Sequence, residues 1–299
     1  MNVLTIRGLS KRFGTKQVLD GLDLTVPAGS IYGFVGRNGA GKTTTMKTVL
    51  GLLRPDAGEI MVCGERVSFG ETATNRLIGY LPDVPEFYPF LTPREYLSLC
   101  CEALGMSRAD IRVRSEEMLT LVGLSEEQRR IKGFSRGMKQ RLGIAQALLA
   151  RPKLLICDEP TSALDPIGRR EILDILLSVR RETTVLFSTH ILSDVERICT
   201  DVALLDGGRI RRQGTVAALR ADRQADSFTV ETIHASDADL LAKALPGVSC
   251  TGQKTVTFVG DDACMHRVMA YVAENAVAIR RIERVETSLE ALFEEVVEA

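Results

Sequence analysis

Apolar and polar positions along the chain change period several times, and the changes divide it into elements. Short apolar runs at Val3–Ile6, Leu22–Val26 and Ile31–Val35, separated by Gly and Pro, predict strands. A helix is predicted from Lys42 to Leu53, stopped by Arg54-Pro55, followed by strands at Glu59–Cys63 and Leu77–Leu81. From Pro93 to about Arg151 the spacing becomes helical, with Leu97, Leu104, Met118, Leu121, Leu148 and Leu149 as its apolar positions. Strand-type sequence returns at Leu154–Cys157, Val185–Phe187 and Val202–Leu205, and Asp206-Gly207-Gly208 has hairpin-turn chemistry. This alternation over the first two hundred residues predicts an α/β layer architecture.

The polar stretch Ala221–Ser227 is read as a domain junction. Beyond it, strands are predicted at Phe228–Ile233, Val248–Cys250, Val256–Val259 and near Ala278–Ile282, with helices near Ala238–Leu245 and Ala263–Glu274. Together they make a small α+β domain. Leu289, Leu292, Phe293 and Val296, at helical spacing, predict a closing amphipathic helix over Glu286–Val297. The expected domains are therefore 1–221 and 222–299.

Composition narrows the function. The chain has 299 residues, 45% of them hydrophobic and 26% charged, so it can bury a sizeable core and is neither wholly disordered nor fibrous. With 38 basic against 39 acidic residues, the net charge of −1 argues against a nucleic-acid partner held by overall charge. The absence of Trp and the 5% aromatic content argue against a base-stacking surface. No apolar run approaches the ~20 residues that span a bilayer, and Met1–Lys11 lacks the pattern of a signal peptide. A cytoplasmic chain that reaches the membrane only through a partner is expected. Seven cysteines without a CxxC pair read as reduced thiols.

One segment carries explicit chemistry. Gly36-Arg37-Asn38-Gly39-Ala40-Gly41-Lys42-Thr43 matches G-x-x-x-x-G-K-[ST] between a predicted strand and a predicted helix, with Thr44 following. Glycines let backbone N–H groups converge on a polyanion, and the helix start adds its own free N–H groups. Lys42 can reach the β- and γ-phosphates, and the Thr43 hydroxyl can face Mg²⁺. Asp158 and Glu159 end an apolar strand, where alternation lets them take different roles: Asp158 on the metal side, Glu159 as base for the attacking water. His190, just past another strand, can donate to a γ-phosphate oxygen.

With these motifs in this order, residues 1–220 resemble the ATPase subunit of ATP-binding-cassette (ABC) transporters. Two further segments carry the resemblance: Ser162-Ala163-Leu164-Asp165 is similar to the family's D-loop, and Phe134-Ser135-Arg136-Gly137-Met138-Lys139-Gln140-Arg141 to its signature loop. The resemblance implies a phosphate-loop α/β core, an antiparallel β subdomain and a helical subdomain at about 93–149. It implies ATP and Mg²⁺ as ligands, with Phe13 stacking on adenine. Two cassettes, expected to be identical, would close head-to-tail, so that Ser135 and Gly137 serve the nucleotide of the other copy, and Asp165 of the D-loop is expected to bind ATP as well. Two segments depart from the family pattern. The signature has Arg136-Gly137-Met138 where Gly-Gly-Gln is usual, as in cassettes of antibiotic, drug and polysaccharide exporters. Asp83 stands where a Mg²⁺-side Gln is common.

The expected function is an ATP-hydrolysing subunit that powers a separate polytopic permease on the inner face of the membrane, in the direction of export. Pro82, Pro85, Pro89 and Pro93, at the entry to the helical insertion, suit docking of a permease helix. A soluble non-transport cassette acting on ribosomes or DNA is the alternative, and such proteins resemble tandem cassettes or cassettes split by coiled coils. A small-molecule kinase would leave the signature loop and D-loop unexplained. The C-terminal Leu289-Glu290-Ala291-Leu292-Phe293 resembles the tails of exporter-type cassettes.

Overall fold

The computed structural model describes residues 2–70, 73–221, 227–260, 262–284, 289–290 and 292–293. The chain divides into two compact units, one dominated by Met1–Val216 and the other spanning Ala217–Glu294.

The first unit holds two sheets. Strands Lys16–Pro27, Asn2–Phe13, Ala57–Val62 and Glu65–Arg66 lie side by side in an antiparallel sheet. The second sheet runs Arg209–Thr215, Asp201–Asp206, Ile31–Gly36, Thr184–Thr189, Leu154–Asp158, Ile78–Leu81. It is parallel except for its first strand, which returns through the Gly207-Gly208 hairpin. Its inner strands Ile31–Gly36, Leu154–Asp158 and Thr184–Thr189 are buried at every position, which explains their unbroken apolar runs. Leu4, Ile6, Leu22 and Leu24 of the antiparallel sheet share one core with Phe34, Ile156 and Leu186 of the parallel sheet and with Met46 and Val49 of the helix Lys42–Val49. Each such buried side chain contributes about 1.5–3 kcal/mol, so this helix is fixed at the point where its N-terminus must hold position.

That helix ends at Val49 rather than Leu53. Leu50 caps it and Gly51 turns the chain at φ +69°, before the predicted stop at Arg54-Pro55 is reached. The insertion forms helices Pro93–Ala103, Arg108–Leu121 and Arg136–Leu148, each begun by a hydroxyl cap: Thr92 in a capping box with Glu95, then Ser107 and Ser135. Two further helices, Pro166–Val179 and Leu192–Ile198, follow the strand ends that carry Asp158 and His190, and neither is among the elements predicted from the apolar pattern.

The second unit has the order Ser227–Thr232, helix Ala235–Ala244, Val248–Cys250, Thr255–Val259, helix Asp262–Glu274, Ile279–Arg284. Its sheet is antiparallel throughout, with the strands from Ser227 and Thr255 in the middle and those from Val248 and Ile279 at the edges. This is the split β-α-β, ferredoxin-like arrangement. Phe228 and Phe258 stack at 5.2 Å between ring centroids in a core with Val230, Leu241, Val256 and Val268. Residues 222–226 of the expected junction, and 286–288, 291 and 294–297 of the expected closing helix, lie outside the described residues; Leu289 and Leu292 are buried. No described helix is long and apolar enough to cross a membrane.

Candidate nucleotide site

The phosphate loop joins the buried strand Ile31–Gly36 to the helix Lys42–Val49. Gly41 makes the turn at φ +113°, and a Cβ there would fall 2.6 Å from Leu19 Cδ2, so conformation and packing both require glycine. Lys42 is buried. Its Nζ donates to the carbonyls of Gly36 (2.6 Å) and Arg37 (3.3 Å) and lies 3.1 Å from Glu159 Oε1. Glu159 meets His190 on its other oxygen, with Nδ1 2.9 Å from Oε2. A line of Lys42, Glu159 and His190 thus crosses the ends of three parallel strands.

Asp158 pairs with Ser188 across the adjacent strand, and the Ser188 hydroxyl donates to Asp158 Oδ1 at 2.6 Å. That hydroxyl oxygen in turn accepts the Glu159 N–H at 3.0 Å. Glu159 has φ +48°, in the left-handed region, held by that bond and by the Ser162 N–H donating to its carbonyl. A strained backbone at a charged residue marks a place where position outranks comfort. Burial raises the thiol of Cys157 and pushes the phenol of Tyr80 up to about 12, with the Asp158 charge adding to both. Both neighbours therefore stay neutral beside that carboxylate.

These groups open onto a cavity of about 650 Å³, lined by Phe13, Lys16, Val18, Asn38, Gly39, Gly41–Thr44, Asp83, Asp158, Glu159, Ser162 and His190. Phe13 is half exposed, with Lys11 Nζ 5.4 Å from its ring centroid. The Thr43 hydroxyl and the carboxylates of Asp83 and Asp158 form an all-oxygen donor set of the kind Mg²⁺ takes. Among the described residues no cluster of three or more His, Cys, Asp or Glu is placed to hold an ion. Gly36, Arg37 and Ala40 form the back of the loop, with the Ala40 N–H donating to the Arg37 carbonyl.

Ser135, Gly137 and Asp165 do not line this cavity within one chain. Ser135 caps the helix Arg136–Leu148 by accepting the Met138 N–H, and Asp165 caps Pro166–Val179 by accepting the Gly168 N–H. Lys16, Val18 and Ser188 belong to the site without any motif to mark them in the sequence. The first two stand on the hairpin strand beyond Phe13, and only the pairing of Phe13 with Lys16 reveals them.

Beyond the sequence motifs, one buried network orders the strand ends. Asp194 accepts from Thr161 Oγ1 (2.7 Å) and Arg169 Nε (2.6 Å), joining the segments that follow Glu159, Asp165 and His190. A satisfied carboxylate this deep fixes three loops relative to one another.

A phosphate loop at the head of a parallel sheet, facing a carboxylate pair and a histidine, defines a nucleotide hydrolase. Residues 19–162 match the ABC transporter family. The chain is 37% identical to the uncharacterized ABC transporter ATP-binding protein YxlF of Bacillus subtilis, over 99% of this chain and 100% of that one. It is 42% identical to the bacitracin transport ATP-binding protein BcrA of Bacillus licheniformis (70% and 68% covered) and 38% to the methionine import ATP-binding protein MetN of Mesorhizobium japonicum (88% and 74%). Among solved structures, an ATP-binding subunit of an ABC transporter superposes with a TM-score of 0.65 at 34% identity, covering 74% of this chain and 92% of the other. The chain belongs to the ABC transporter ATP-binding family. It is an ATPase subunit of a transporter; subunits of this family bind ATP with Mg²⁺, form dimers and work with membrane permeases.

Proposed function

We propose that residues 1–221 form the ATPase cassette of an exporter, 222–299 an accessory domain, and that the cassette acts as a homodimer on the cytoplasmic face of a polytopic permease. The observation that carries the reading is the Lys42–Glu159–His190 line at the ends of three strands. Asn38, Gly39 and the N-terminus of the helix at Lys42 cradle the triphosphate, Phe13 stacks on the base, and Thr43, Asp158 and Asp83 hold Mg²⁺, which neutralises phosphate charge when bound.

While Lys42 pairs with it, Glu159 is occupied; phosphate oxygens draw Lys42 away and free the carboxylate, still oriented by His190. Glu159 then takes a proton from water as the water oxygen attacks the γ-phosphorus, and the bond to the β-phosphate oxygen breaks in line, leaving ADP. His190 uses its other ring nitrogen toward the γ-phosphate.

Ser135 and Gly137 act on the nucleotide of the second copy. In support, Ser135 is exposed, and a Cβ on Gly137 would meet nothing closer than 3.9 Å within the chain, so no contact within the chain requires glycine there and the position is open to a partner. Val84, Tyr88 and Phe90, exposed on the segment that follows Asp83, offer an apolar landing for the permease. Export is favoured by the Ser-Arg-Gly-Met-Lys-Gln-Arg signature and the likeness to the bacitracin transport protein.

Tagged Glu159→Gln, with hydrolysis lowered by about 10²–10⁴-fold, is held closed with ATP and recovered from detergent-solubilised membranes. A polytopic membrane protein in stoichiometric amount is expected, and its identity gives direction and cargo. Recovery of ribosomal or DNA-repair proteins without a membrane subunit overturns the reading.

A further inference from the structure

Two of the three residues that depart from the family pattern, Arg136 and Asp83, touch each other. Arg136 Nη2 donates to Asp83 Oδ1 at 2.9 Å, linking the first residue of the signature helix to a carboxylate that lines the nucleotide cavity. One helical turn later, Gln140 Nε2 donates to the backbone carbonyl of Asp83 at 2.6 Å. Residues i and i+4 share a helix face, so one face grips both the side chain and the main chain of Asp83. The next turn completes the contact: a Cβ on Gly143 would lie 2.5 Å from Leu81 Cδ1 and 3.3 Å from Pro85 Cβ. The signature helix and the segment 81–85 are interlocked.

The two grips differ in kind. Gln140 is fully buried, so its bond to the Asp83 carbonyl is shielded from water and ties the helix to the loop. The Asp83–Arg136 pair is open to solvent, with the two side chains 47% and 41% exposed, and a half-exposed ion pair is weak and exchangeable. Asp83 also lines the same cavity as Thr43 and Asp158.

We propose that Asp83 is a charge latch: it holds Arg136 while the cavity lacks metal–nucleotide, and exchanges Arg136 for the nucleotide's Mg²⁺ on loading. The released guanidinium stands between Ser135 and Gly137 at the N-terminus of the signature helix. There it adds a positive charge to the face that meets the phosphates held by the second copy. Loading one cavity thereby arms the same chain to grip its partner's nucleotide. The latch rests on Asp83 being a metal-side residue, as proposed above.

Binding of a fluorescent ATP analogue to the full chain, titrated with Mg²⁺, tests it in four proteins: wild type, Arg136→Gln, Asp83→Asn and the double variant. Metal-free binding in EDTA reports that each variant is folded. Removing the competing cation should lower the Mg²⁺ concentration for half-maximal metal-dependent binding by roughly two- to five-fold in Arg136→Gln. That gain should vanish when Asp83 is Asn. If Arg136→Gln leaves the Mg²⁺ requirement unchanged or raises it while Asp83→Asn weakens it, the latch is wrong and the metal role of Asp83 stands. If Asp83→Asn changes nothing in either background, both fail.

Discussion

The two ends of the nucleotide cavity are built on opposite terms. At the phosphate end the charged groups are buried and partnered: Lys42 on two carbonyls and Glu159, Glu159 on His190, Asp158 on Ser188. At the base end Phe13 stands half exposed at the tip of a hairpin, supported by Lys11 and by Asp56, which accepts the Arg12 N–H. Phosphate recognition is therefore preorganised, since donors already held in place lose little freedom on binding. In the proposed site, base recognition would rest on the Phe13 ring, an apolar surface that any purine could cover. Under the function proposed above, the contrast places specificity at the phosphate end: a site so built would select strongly for a polyphosphate and weakly for the base attached to it.

Substitutions at the two ends should separate these contributions. Lys42→Ala removes the buried cation of the phosphate end and leaves Glu159 without it. Nucleotide affinity should fall by roughly 2–5 kcal/mol, thirty-fold or more, as measured by calorimetric titration; retention of tight binding would contradict the preorganised phosphate end. Phe13→Ala should cost less, about 1–3 kcal/mol, the scale of one base–aromatic stack. The loss should be similar for ATP and GTP, and a loss confined to one of them would mean that the base end reads more than a flat ring.

The smallest effect is expected at Asp56. Hydrogen bonds from the Arg12 N–H and the Lys11 ammonium hold its carboxyl below the usual carboxylate range. A depressed folded-state pKa stabilises the fold above the ordinary aspartate value, and the contribution is lost as pH falls through the lowered one. Asp56→Asn should thus melt slightly below the wild type at neutral pH, and the two melting temperatures should converge in acid. A gap that persists in acid would show that the carboxylate charge is not its source.

Legibility in the sequence follows locality. The phosphate loop can be read because its glycines, lysine and threonine are contiguous and the strand and helix that position them flank it directly. Asp158, Glu159 and His190 each end an unbroken apolar run, so their places at strand mouths are legible, while the contacts among them are not. The helix Pro166–Val179 has its start signals in plain view, Asp165 as cap and Pro166 at the first turn, yet they coincide with the D-loop motif, which hides the helix behind it. The first strand reaches from Asn2 to Phe13, well past the apolar run Val3–Ile6, because register irregularities after Ile6 break the alternation without ending the pairing. The Asp83–Arg136 pair joins residues 53 apart, and no local pattern announces a contact of that range.

The bond between Ser188 and Asp158 has one more consequence, for how the sheet is assembled. Where one face of a strand is wet, a slip of one residue turns apolar side chains into water and is strongly disfavoured. Leu154–Asp158 and Thr184–Thr189 are buried at every position; a slip there would exchange one apolar surface for another, and packing would resist it weakly. It would instead strand a buried carboxylate without its hydroxyl, at the ~1–3 kcal/mol or more of an unsatisfied buried polar group. The residues that shape this end of the sheet thereby also favour its native register over a slip of one residue.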